Sequence, residues 1–263
     1  MTETTRLLVR VDDAGSSWAS NLGCLRACTD GIARSVEVMM PGPWVPHAAQ
    51  LFNAHPEIDI GIHLTLTSEW GAMKWRPLTQ ARSLTDAQGY FLPLVTARDD
   101  DIRPCLAEQN WSLDEVAREL RAQVALGQQM FPGASHISTH MMRHFRDLDP
   151  CIGDVITEIC NASGLSDDAF GNGLPRISGY PRFPREASAR TTAFLKQISE
   201  LAPGTHIFID HPAVASPELE AIGHPGYEDV GADRLSCLAT LTHPELRRSV
   251  DARGIELINY RDL

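Results

Sequence analysis

Short apolar runs alternate along this chain with segments of helical periodicity, and that alternation restricts the fold more than any other feature. "LLVRV" precedes the helical pattern "SWASNLGCLRACTDG", closed by Gly31; "SVEVMM" precedes "PWVPHAAQLFNAH"; "IDIGIHLTLT" is a third strand-like run. "SLDEVARELRAQVALGQQMF" reads as a helix opened by Ser112 and Glu115 at capping-box spacing and followed by Gly133. "SHIST" then leads to the helical "PCIGDVITEICNASG". "REASARTTAFLKQISELA" is helical, "HIFID" extended, "THPELRRSVDARG" a helix capped by Thr242 and Glu245, and "IELINY" a closing strand. Strands separated by helices pair in parallel through right-handed crossovers. The expected class is α/β, a closed or nearly closed (β/α) barrel of about seven parallel strands, formed by residues 1–263 as one domain. Residues 68–110 and 164–185 lack periodicity and are expected as long loops, either lids or substrate walls.

The formal net charge of −11 argues against nucleic acid or an anionic membrane surface as partner, since both attract basic patches. No apolar run approaches a bilayer span, and the opening "MTETTRLLVR" lacks the apolar core of a signal peptide, so a cytoplasmic location is expected. Cys24, Cys28, Cys105, Cys151, Cys160 and Cys237 form no C-x-x-C pair, and are read as reduced thiols rather than a zinc cluster. No glycine pattern of the dinucleotide-binding or P-loop kind opens a helix.

The polar residues gather at the ends of four strand-like runs. "VRVDDAG" supplies Asp12 and Asp13, "GIHLTLT" His63, "SHISTHMMRH" His136, His140 and His144, and "FIDHPAV" Asp210 and His211. Two adjacent carboxylates repel unless a cation or a proton separates them. Singly, each feature has an ordinary alternative: Asp-Asp caps a helix, and a histidine in an apolar strand is a hydrogen-bonded core residue. In a (β/α) barrel, however, strand C-termini meet at one rim, where two imidazoles and a carboxylate make a catalytic metal site with open positions. One aspartate would then flank the cation and the other remain free as a base. His47, His55, His206, His224 and His243 fall in loops or helix starts and are read as surface residues.

At these residues the chain resembles the YdjC-type carbohydrate deacetylases, the chitooligosaccharide deacetylase family. "VDDAG" resembles the family's D-D-x-G, "DGIARSVEVMMPG" its G-I-V-T-S-x-x-x-M-V-N-G, and "DIGIHLTLT" its G-x-H-x-x-L-T. "SHISTHMMRH" resembles T-H-x-D-x-H-x-H-x-H, "IFIDHPAV" a strand ending in C-H-P, and "RGIELINYRDL" the closing R-G-x-x-x-x-x-Y-R-D. The resemblance implies a distorted (β/α) barrel related to polysaccharide deacetylases and a metal-dependent hydrolase. Its substrate would be an N-acetylated amino sugar or oligosaccharide. It implies one divalent ion on Asp13, His63 and His140, magnesium by family habit, although two imidazoles suit zinc or another transition metal. Asp12 falls on the general-base position and His211 on the general-acid position. His136, His144, Asp210 and Arg34 would support these groups or touch substrate.

Other residues depart from the pattern. Ala14 stands where the family has phenylalanine, Arg34-Ser35 where it has T-S, with Glu37 nearby. Ser138 replaces the aspartate between the histidines, and Met141 and Met142 the histidines that follow. These changes point to a wider, differently charged pocket. At least one of Trp70, Trp75 and Trp111 could offer its flat face to a sugar ring, with packing as the ordinary alternative, and Arg176, Arg182 and Arg185 could shape a lid or form a solvated basic loop. Two other readings use the same residues: a metal-dependent sugar or sugar-phosphate isomerase or aldolase, and an inactive carbohydrate-binding member. The oligomeric state, monomer or homodimer, is open.

Overall fold

A computed structural model describes residues 4–99 and 101–263. The elements run β1 (Thr5–Ala14), α1 (Trp18–Thr29), β2 (Ser35–Val38), α2 (Val45–Phe52), β3 (Asp59–Leu64), α3 (Leu113–Met130) and β4 (His136–Thr139). They continue with α4 (Pro150–Ser163), α5 (Ala187–Glu200), β5 (Gly204–Asp210), α6 (Pro217–Glu220), α7 (Val230–Leu241), α8 (Pro244–Ala252) and β6 (Glu256–Ile258). Every strand pairing is parallel, in the order β4-β3-β2-β1-β5, with β6 also on β1. β6 pairs with the start of β1, Arg6–Leu8, and β2 with its end, Arg10–Ala14.

The six strands coincide with the six apolar runs, one fewer than the barrel expected from chain length. The described residues between 68 and 110 explain the difference, because they contain no strand–helix unit and most of their large apolar side chains pack inward instead. Trp70, Trp75, Leu84, Phe91, Leu92, Leu94 and Leu106 from this stretch are all buried. Between the outer strands β4 and β5, residues 166–176 take the place of a regular strand. Ser166 pairs in parallel with His136, and Arg176 with Ile207.

Three helix ends differ from their sequence signatures. Glu115 does not cap α3; it crosses to Ser83, accepting from its backbone N at 2.8 Å and its Oγ at 2.7 Å. α8 is capped by His243 rather than Thr242, which ends α7. Gly31 follows the C-cap Asp30 of α1, where an added Cβ would lie against the backbone of Leu241, so packing rather than a left-handed turn requires glycine there.

The period of two along each strand divides the sheet into two faces. Leu7, Val9, Val11, Val36, Val38, Ile60, Ile62, Leu64 and Ile137 belong to the main apolar core with the helices. The alternate residues face the barrel interior. Leu8, Ile207, Ile209 and Ile258 fill its floor with Tyr260. Above them on the same parity come Arg10 and Asp12, Glu37, His63, His136 and Ser138, all buried. The interior of this barrel is therefore polar towards its C-terminal rim.

Candidate active site

Alternation alone would turn Asp13 away from Asp12, onto the face of Val9 and Val11. The backbone prevents this. The register of β1 against β2 shifts between Val11 and Ala14, and Asp13 adopts φ 72°, a left-handed conformation uncommon for a residue with a Cβ. Both carboxylates consequently reach the rim. Asp13 Oδ2 accepts from Arg234 Nη2 at 2.6 Å, while Oδ1 is buried with no hydrogen-bond partner among the described residues.

That unpartnered oxygen faces two imidazoles. His140 Nδ1 lies 3.2 Å away and His63 Nε2 4.0 Å. One donor atom from each of Asp13, His63 and His140 lies within 4.8 Å of the others. Such spacing fits ligands placed about 2.0–2.3 Å from one small cation. Each imidazole is held from behind, as metal-binding histidines are. His140 Nε2 contacts Glu69 Oε2 at 3.1 Å, and His63 Nδ1 contacts Ser138 Oγ at 2.7 Å. Burial lowers the His63 pKa to about 4, which keeps the ring neutral. Burial acts the same way on His140, but the carboxylates of Glu69 and Asp13 outweigh it and raise that group to about 10. Asp13 is penalised by burial too, yet Arg234, His211 and His140 hold it well below the usual carboxylate range.

Asp12 sits beside this cluster, with Oδ2 3.7 Å from His63 Nε2. Arg10 grips it through two bonds, Nε to Oδ1 at 2.8 Å and Nη2 to Oδ2 at 3.0 Å. The same guanidinium reaches Asp168 Oδ1 at 3.1 Å and Tyr260 Oη at 2.9 Å. Across the rim His211 follows β5. Its backbone N donates to Asp210 Oδ1 at 2.8 Å, its Nδ1 lies 3.4 Å from that oxygen, and Tyr180 Oη donates to Asp210 Oδ2. Burial disfavours the imidazolium, but Asp13 and Asp210 outweigh it and raise the His211 pKa.

A cavity of about 500 Å³ opens over these groups, lined by Asp12, Asp13, His63, His140 and His211. Met141, Met142, Trp70, Arg176 and Arg182 also line it, as the sequence led one to expect. Several other expectations do not hold. Arg34 lies before the start of β2, at the opposite end of the sheet, and donates to the carbonyls of Gly31 and Ala33. Ala14 is wholly buried in the apolar core and does not reach the cavity. Glu37 is fully buried beneath the rim rather than in the pocket wall. His144 bonds Asp167 at 3.0 Å and braces the 166–176 segment without lining the cavity. Trp75 is buried with Nε1 bonded to Thr67 O at 2.6 Å, Trp111 packs against the core, and Arg185 pairs with Asp229. His224, read as a surface residue, lines the cavity and stacks on Trp70 with centroids 5.7 Å apart.

His136 lies below the rim, its Nε2 2.6 Å from Glu37 Oε1 and its ring stacked on that of Tyr260 with centroids 3.5 Å apart. Four partners were not singled out in the sequence: Arg10, Glu69, Asp168 and Arg234. Arg10 was detectable, as the one charge inside "LLVRV" on the parity of Asp12. Arg234 lies on α7, whose uniformly mixed pattern gives no clear helical stripe.

Comparison with known proteins agrees with this geometry. A carbohydrate deacetylase of Thermus thermophilus is 29% identical over 262 residues, covering 92% of this chain and 88% of its own. A chitooligosaccharide deacetylase of Klebsiella pneumoniae is 27% identical over 270 residues, covering 98% of each chain. The crystal structure of an Enterococcus faecalis protein, provisionally named for cellobiose-phosphate cleavage, superposes with a TM-score of 0.76 at 20% identity, covering 98% of each chain. A model of the family described as YdjC-like protein matches residues 6–252, nearly the whole span from β1 to the end of α8, and on that match the chain belongs to the YdjC-like family.

Proposed function

We propose that this protein is a metal-dependent carbohydrate deacetylase that hydrolyses the N-acetyl group of an amino sugar or oligosaccharide. The observation that carries the reading is Asp13 Oδ1, buried, unpartnered and facing His63 and His140 at the floor of an open cavity. The relatives named for deacetylation of carbohydrates and chitooligosaccharides point to the same substrate class. Asp13, His63 and His140 would hold one divalent ion, which when bound would polarise the acetyl carbonyl and acidify a water. The two imidazoles and single carboxylate suit zinc or another transition metal better than magnesium.

The protein's own groups carry the protons. Asp12, fixed in direction by the two-point grip of Arg10, accepts a proton from the attacking water. His211, protonated and steadied by Asp210, donates to the nitrogen as the C–N bond breaks, releasing acetate and a free amine. Asp12→Asn and His211→Ala should each lower turnover by about 10²–10⁴-fold while leaving metal content unchanged. Acetate release from N-acetylated chitooligosaccharides, measured with added metal and again after chelation, tests the reading. Sugar binding without acetate release in metal-loaded protein would sink it and favour a carbohydrate-binding role.

A further inference from the structure

Inside the barrel, below the rim, a fully buried chain of polar groups connects β4, β2 and β3. His136 Nε2 lies 2.6 Å from Glu37 Oε1, Ser138 Oγ bonds Glu37 Oε2, and His63 Nδ1 lies 2.7 Å from Ser138 Oγ. Glu37, His136 and Ser138 are each wholly shielded from solvent. Gly61, next to His63 on the inner face of β3, makes room for the chain, since a Cβ there would collide with both Glu37 Oε2 and His136 Nε2.

The direction of the bonds follows from proton counting. Glu37 as a carboxylate only accepts, so His136 Nε2–H and the Ser138 hydroxyl both donate to it. The single proton of Ser138 is thereby used, and its oxygen is left to accept from His63. His63 must then carry its proton on Nδ1, which leaves the Nε2 lone pair directed toward Asp13. A serine alone would not impose this, because a free hydroxyl can rotate and donate to Nδ1 instead. The carboxylate beyond the serine removes that freedom.

Resting on the reading of His63 as a metal ligand, we propose that Glu37 is a positioning residue which acts through Ser138 to lock His63 in the Nδ1–H form with Nε2 facing the metal position. The carboxylate comes from β2, on the far side of β3 from Ser138 on β4, and the Ser138 hydroxyl conducts its effect to His63 on the strand between them. Partners of this kind behind a ligating histidine are worth about 10–100-fold in metal affinity.

The test uses the full-length chain, stripped of metal, as wild type, Glu37→Gln, Ser138→Ala, the double variant Glu37→Gln/Ser138→Ala, and Glu37→Gln/Ser138→Asp. Thermal unfolding first identifies the variants that remain folded. Imidazole ¹⁵N shifts of the metal-free proteins then report the His63 tautomer, and competition with a chromophoric chelator reports Zn²⁺ and Co²⁺ affinity. Wild type should show the Nδ1–H tautomer. Each single variant should show a mixed tautomer and bind about 10–100-fold more weakly, with the double alanine-containing variant no weaker than either. Aspartate at 138 should restore both readouts in the Glu37→Gln background. Unchanged tautomer and affinity in folded single variants, or no rescue by aspartate, overturns the role of Glu37 while leaving the metal site standing. Wild-type protein that binds neither ion overturns the ligand assignment itself and this inference with it.

Discussion

His63→Ala should yield a folded protein that neither retains a divalent ion nor releases acetate above background. His63 is one of three donors around a single position, and its Nε2 has no other hydrogen-bonding task. Losing the several kcal/mol that a metal contributes to charge stabilisation corresponds to more than about a thousandfold in rate. Asp13→Asn should behave alike, because asparagine tolerates the left-handed backbone at φ 72° and still offers an oxygen to Arg234, but lacks the anionic charge. Metal content per chain by elemental analysis, beside circular dichroism, checks both. Stoichiometric metal in either variant would show that the ion is held elsewhere. The contrast with Asp12→Asn is informative: adjacent aspartates should differ in kind, one losing metal and the other losing only turnover.

The legible part of this fold follows from periodicity. All six strands lay under the apolar runs, and residues at alternate positions of "LLVRVDD", "SVEV", "GIH" and "SHISTH" share the interior where the site is built. The same parity places Arg34 on the outer face of β2, and its position ahead of that strand puts it at the wrong end, so chain proximity to Ser35 and Glu37 misled. Asp13 is the opposite case. Strict alternation would have excluded it, and only the register shift and the left-handed φ return it to the rim. Of the four partners that were missed, Arg10 lies on β1 with the parity of Asp12, and the other three lie on elements without strand parity. Glu69 comes from an irregular buried stretch, Asp168 from the segment replacing a regular strand, and Arg234 from α7, so no local spacing relates them to the residues they hold. Residues 68–110 read as a lid, a substrate wall or a disordered stretch by their lack of pattern; most of their large apolar side chains are core, Leu78 and Ile102 being exposed, while Glu69 and Trp70 line the cavity.

Arg10→Met should be the most destabilising single change in the barrel interior. Arg10 is 3% exposed, and its guanidinium serves two buried carboxylates and a buried phenol. Asp12 and Asp168 are themselves 4% and 1% exposed, so neither can recover its lost partner from bulk water. Removing one member of a buried ionic group costs about 3–5 kcal/mol, chiefly from the charges left behind, which for a chain of this size lowers the melting temperature by on the order of 10 °C. Methionine keeps most of the volume, so a cavity is not the cause. The argument makes a second demand: Arg10→Met/Asp168→Asn should regain part of the loss, because one stranded charge is gone. Turnover should not return with it, since Asp12 would still lack the two bonds that aim it. Scanning calorimetry and acetate release on the same preparations separate these effects. A melting temperature for Arg10→Met within a few degrees of wild type would mean that water replaces the guanidinium, and that the interior is wetter than its burial indicates.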